Sequence, residues 1–152
     1  MAIDVSLIKQ LREETQAGVA DCRMALEESN GDLKAAKEIL KKKGFERAAK
    51  KGDRATNAGL IEAYVHGGRV ASLVEVMCET DFVARTDEFK ALAHEVAMQV
   101  ASMNPGNSEE LLKQEYIRDS SKTIEDLLKE AIAKLGENIT LGRISRIELG
   151  KE

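Results

Sequence analysis

The sequence predicts an α+β fold, with a small helical unit placed ahead of a core built on an antiparallel sheet. Three observations carry this reading. Apolar residues recur at helical spacing over residues 1–45, two β-rich runs flank Gly67-Gly68, and further helical spacing precedes a β-patterned tail. Helices segregated from a small hairpin-based sheet define the α+β class.

Taken in order, the first helix carries Val5, Leu7, Ile8 and Leu11 and is interrupted at Thr15-Gln16-Ala17-Gly18. The second carries Val19, Cys22, Ala25 and Leu26 and ends at Ser29-Asn30-Gly31. Asp32 suits the N-cap of a third, whose stripe is Leu33, Ala36, Ile39 and Leu40. Gly44, after Lys41-Lys42-Lys43, reads as its stop, with the cations at the negative end of the helix dipole. These helices form a compact module near the lower size limit for independent folding.

From Lys41 to Arg54 seven basic residues face only Glu46 and Asp53, and large apolar residues are scarce, so the stretch reads as a linker. The expected division is therefore a module at 1–45, a basic linker at 46–57 and an α+β core at 58–152. Strands at Leu60–Val65 and Val70–Met77 flank His66-Gly67-Gly68-Arg69, a hairpin signal because glycine reaches the positive φ such turns use. A polar segment follows from Glu79 to Arg85. A long helix then carries Phe89, Leu92, Ala93, Val96, Val100 and Met103 and ends at Asn104-Pro105-Gly106. Residues 109–117 suggest a short helix. Thr123 opens the last helix (Ile124, Leu127, Leu128, Ala131, Leu135), Gly136 closes it, and Ile139–Leu149 forms a third strand.

Composition narrows the function. The 152 residues are 43% hydrophobic and 33% charged with a net charge of −4, which speaks against a dedicated nucleic-acid binder. No apolar run reaches the length of a membrane span, and Met1-Ala2-Ile3-Asp4 does not open a signal peptide. Cys22 and Cys78 are expected as free thiols in a reduced, cytoplasmic protein. His66 and His94 are the only histidines, and no nucleophile–base–orienter set assembles around Cys78. Gly67-Gly68 is too short for a phosphate-binding loop, and the acidic residues are scattered, so neither bound nucleotide, metal nor cofactor is expected. Phe82, between Asp81 and Val83 in a strand–helix connection, has two readings: a plug in the core or an exposed wedge.

Three segments resemble one known family. Leu11 to Leu26 (LREETQAGVADCRMAL) is similar to the N-terminal signature of elongation factor Ts, and Glu75 to Arg85 (EVMCETDFVAR) to its second signature. Ala133-Lys134-Leu135-Gly136-Glu137-Asn138-Ile139 resembles the family's closing helix–strand junction. Departures are Arg23 where Lys is usual, Met77 where Asn is common, and Gly142, Ile144 and Ile147 where Arg and aromatics are frequent. Members normally carry more chain between Asn104-Pro105 and the Leu112–Lys122 segment.

The resemblance implies a ubiquitin-associated-like three-helix module, a linker and an α+β core. It also implies a non-enzymatic exchange factor that speeds GDP release from the GTPase elongation factor Tu. Thr80, Asp81, Phe82 and Val83 would enter the partner beside its GDP and Mg²⁺, while Arg12, Gly18, Val19 and Met24 grip the same GTPase domain. A homodimer is expected as well, since longer members contribute two core halves and a small sheet leaves edges to cover. Rival readings are a nucleic-acid or ribosome-binding module using residues 41–54, a thiol enzyme using Cys78, and a ubiquitin-type interaction module resting on residues 1–45.

Overall fold

The computed structural model describes residues 2–152. Three helices come first, α1 (Val5–Thr15), α2 (Val19–Glu28) and α3 (Leu33–Lys50). Asp4 caps α1 by accepting from the Ser6 N–H, and Gln16 ends it in the left-handed conformation. The Asp32 carboxylate accepts from the Lys34 and Ala35 amides at 2.9 and 3.2 Å. Leu11, Cys22, Ala25, Leu26 and Ala36 are fully buried together, a small core of their own.

Gly44 does not stop the third helix, so residues 46–50 of the segment read as linker are helical. A Cβ at Gly44 would stand 3.1 Å from the Cβ of Ala133 in α7 (Ile124–Leu135), tighter than an ordinary contact. The glycine therefore marks a close helix crossing. Its helix-propensity cost of about 1 kcal/mol is offset by tertiary packing, because Ala48, one turn further on, is buried in the main core. Phe45 lies half-buried beside it, with the Lys41 and Lys129 ammonium groups 5.7 and 5.8 Å from its ring centroid.

The main sheet has the order β1 (Ala58–His66), β2 (Val70–Cys78), β5 (Ile139–Glu148), all antiparallel. Gly67 and Gly68, at φ +59° and +69°, are the central residues of a turn closed by the Arg69 N–H on the His66 carbonyl (3.0 Å), within the three-residue connection between β1 and β2. On the inner face Ser72, Val74, Val76 and Cys78 meet the apolar stripe of α5 (Asp87–Met103), including Phe89, Ala93, Val96 and Val100. On the outer face Ile61, Val65, Leu73 and Ile147 are exposed. The β2–β5 register runs from Cys78 opposite Ile139 to Val70 opposite Glu148 and is irregular between Val74 and Val76. There the Glu75 carboxylate accepts from the Arg143 amide and guanidinium.

The short helix expected at 109–117 is α6 (Ser108–Lys113), and the chain then turns into a hairpin of β3 (Glu115–Tyr116) and β4 (Asp119–Thr123). Its own sequence has no apolar alternation. It is held instead by Gln99 of α5, which is fully buried. The Gln99 amide donates to the Gln114 side chain (3.2 Å) and the Glu115 carbonyl (3.0 Å) and accepts from the Ile117 N–H (3.0 Å). The Tyr116 hydroxyl donates to Glu95 at 2.6 Å; burial, then this bond, push the phenol up to about 12.

Candidate functional site

Strand β2 ends at Cys78, and the chain enters α5 through one helical turn, α4 (Asp81–Ala84), capped by Thr80. Hydrophobic patterning anchors the far end of the turn. Ala84 is buried and Val83 is half-buried against the main core. The near end projects. Asp81 is exposed, and Phe82 is 85% exposed. The plug reading of Phe82 fails on this geometry, since a core phenylalanine such as Phe89 has no exposed surface.

Every polar group of Thr80 has a partner. Its N–H and its hydroxyl donate to the two carboxylate oxygens of Glu137 at 3.0 and 2.7 Å. The hydroxyl oxygen accepts from the Val83 N–H at 3.4 Å, and the carbonyl accepts from the Cys78 thiol at 3.2 Å and the Ala84 N–H at 3.3 Å. Asn138, almost fully buried, donates from its backbone to Glu79 (3.2 Å) and from its side chain to the Arg54 carbonyl (2.8 Å). Arg54 itself pairs with Glu79 at 3.6 Å. Glu137 and Asn138 were not foreseen as part of this site. They stand in the third resembling motif, but Thr80 lies 57 residues from Glu137, beyond any local pattern.

The second set of expected residues lies apart. Arg12 is exposed in the last turn of α1, Gly18 is the N-cap of α2, and Val19 and Met24 are about half exposed. Helices α1 and α2 pack on each other and on α3, whereas α4 packs on β1, β2 and α5. The two sets make no direct contact; the module meets the core through the packing of α3 on α7, where Gly44 faces Ala133, and the chain beyond α3 reaches the site at the Asn138 junction.

The rival readings lose ground. Burial, then the negative charges of Glu137 and Asp81, push the Cys78 thiol up, whereas a nucleophile needs stabilised thiolate. In the basic stretch Arg47 makes a two-pronged bond to Asp21 (2.9 and 3.0 Å), which holds that carboxyl below its usual range. Lys43 pairs with Glu28 at 3.1 Å. These two cations are paired within the molecule, whereas Lys41, Lys42, Lys50 and Lys51 make no salt bridge among the described residues. Among the described residues there is no cluster of metal-type ligands and no helix long and apolar enough to cross a membrane.

Comparison with known proteins gives one answer. The sequence profile described as "Elongation factor TS" matches residues 79–152. The chain is 46% identical to elongation factor Ts of Coprothermobacter proteolyticus over 197 positions, covering 99% of this chain and 100% of that protein. It is 45% identical to elongation factor Ts of Thermotoga neapolitana over 196 positions, covering all of both chains. With that of Thermoanaerobacter sp. strain X514 the identity is 44%, over 98% of this chain and 96% of the relative. These alignments exceed the 152 residues of this chain, so each relative carries tens of residues without a counterpart here.

Proposed function

Because the chain belongs to the elongation factor Ts family, we propose that it is a translation elongation factor that binds elongation factor Tu·GDP and promotes GDP release, so that GTP can rebind. The observation that carries the residue-level reading is Phe82, a large apolar side chain held 85% exposed on a turn whose base is fixed. A phenylalanine this exposed gives the fold little buried area and suits a pocket on a partner.

In this reading Phe82 wedges into the GTPase domain while Asp81 brings a negative charge beside the nucleotide's Mg²⁺. Mg²⁺ demands near-octahedral oxygen geometry, so a small displacement of its surroundings loosens metal and phosphates together. Thr80 and Val83 hold the turn, and Arg12, Gly18, Val19 and Met24 grip the partner through the helical module. Residues 1–45 thus serve as a docking module, 46–57 as the connection and 58–152 as the core that presents the wedge. No covalent bond changes. A factor that prefers nucleotide-free partner over GDP-bound partner weakens GDP by the same ratio. The chain itself binds no nucleotide or nucleic acid and works in the cytoplasm. Release of labelled GDP from elongation factor Tu, with and without this protein, tests the reading; an unchanged release rate refutes it.

We also propose that the protein is a homodimer. Ile61, Val65, Leu73 and Ile147 leave much of the outer sheet face apolar and open, and Glu75, opposite Ile61 on the central strand, is already paired with Arg143. Two such faces can stack as sheets about 10 Å apart, which gives a self-complementary contact in keeping with two-fold symmetry. Sedimentation over a range of concentrations is expected to reach twice the monomer mass, and Leu73→Glu, which would bury an unpaired charge there, is expected to stay monomeric. A wild-type monomer at every concentration overturns the dimer.

A further inference from the structure

The exchange reading leaves the Gly136-Glu137-Asn138 junction without a task, although its side chains converge on the root of the exposed turn. We propose that Glu137 is a positioning residue for exchange: by holding both donors of Thr80 it fixes the helical turn that presents Asp81 and Phe82. This inference rests on the reading of those two residues as partner-contacting.

The chemistry of the clasp is directional. An ionised carboxylate only accepts hydrogen bonds, so the Thr80 N–H and hydroxyl must both point at Glu137. With the hydroxyl proton committed, a lone pair of the same oxygen is left facing the Val83 N–H, as an N-cap requires. The carboxylate therefore sets the cap. A turn of four residues cannot hold itself, because a first helical turn fixes many dihedrals for few bonds. Its own bonds are Ala84 N–H to the Thr80 carbonyl (3.3 Å) and Arg85 N–H to the Asp81 carbonyl (3.1 Å). Phe82 cannot orient the turn either, since almost none of its surface is packed.

Glu137 is itself held. Its neighbour Asn138 is fastened to Glu79 and to the Arg54 carbonyl, in the segment that descends from α3. The junction thus ties the wedge to the chain leading to the helical module. Two contact surfaces held in register engage one partner with less ordering cost than two loose ones.

The test measures GDP release from elongation factor Tu against increasing concentrations of the full-length factor, with melting followed in parallel. Glu137→Ala is expected to lower the saturating release rate roughly tenfold, with the half-saturating concentration moving by less than about twofold, since the helical module still docks. Variants that only reduce the folded fraction would do the reverse and shift half-saturation. Glu137→Gln keeps one acceptor oxygen but turns an NH2 donor toward the other Thr80 group, so it should recover only part of the rate. Adding Glu137→Ala to the double variant Asp81→Ala/Phe82→Ala should slow release no further, because the clasp acts only through those two residues. A full rate for Glu137→Ala beside a slow Phe82→Ala overturns the positioning role and leaves the wedge reading standing. A full rate for Phe82→Ala removes the wedge reading and this inference with it. A further loss on adding Glu137→Ala to the Asp81→Ala/Phe82→Ala background would mean that Glu137 acts on the partner independently, and also overturn the proposal.

Discussion

Phe82→Ala is expected to slow stimulated GDP release about thirtyfold while leaving the melting temperature near that of the wild type. The size follows from what a central aromatic anchor contributes at an interface, ~2 kcal/mol or more, which corresponds to a factor of about thirty. The sparing of stability follows from geometry. Phe82 is 85% exposed, so truncation removes little area that folding had taken from water. The turn keeps its anchors, because Val83 and Ala84 still pack on the core and Thr80 still binds Glu137. Stimulated release at several factor concentrations, with thermal melts of both proteins, checks both halves. A variant that melts far below the wild type would mean that Phe82 supports the fold, and a wild-type release rate would mean that it does not touch the partner's site.

The parts of this structure that the sequence made legible are those whose causes lie within a few residues. Asp32 caps α3 and Thr123 caps α7 because the acceptor and the amides it satisfies are neighbours. The hairpin was readable because Gly67 and Gly68 answer a local demand for positive φ. Failures came where the cause lies far along the chain. Gly44 has the local look of a helix stop, and only Ala133 on another helix explains why α3 passes through it. The β3–β4 hairpin was invisible because its backbone partners hang on Gln99, which in sequence is one polar residue on an otherwise apolar helix.

The site divides in the same way. The run Thr80 to Val83 stood out through resemblance, but whether Phe82 pointed in or out could not be read, since an aromatic next to valine in a connection fits both. Burial of Val83 and Ala84 on one side of the turn decides it, because consecutive residues on one helical turn cannot all face the core. Glu137 was legible only as part of a motif and not as a contact.

Phe89→Ala, the counterpart on the other side of the same connection, is expected to cost about 3–5 kcal/mol of stability. Phe89 has no exposed surface and is the largest fully buried side chain of the described residues. It sits in the first turn of α5, where Thr86 caps its N–H at 3.2 Å, and belongs to the cluster that joins α5 to the inner face of β2. Removing the ring leaves a cavity that neighbours fixed in a strand and a helix cannot fill, so the transfer loss and the cavity add. A single domain of this size is typically stable by only ~5–15 kcal/mol, so this one change takes a large share. Exchange should then fall only as the folded fraction falls. At low temperature, where the variant is still folded, GDP release should stay within about twofold of wild type, unlike the thirtyfold loss for Phe82→Ala. Denaturant melts and release assays on the same preparations separate the two. If Phe89→Ala lost exchange while fully folded, α5 would have to be part of the partner contact, and the assignment of that contact to Asp81 and Phe82 would be too narrow.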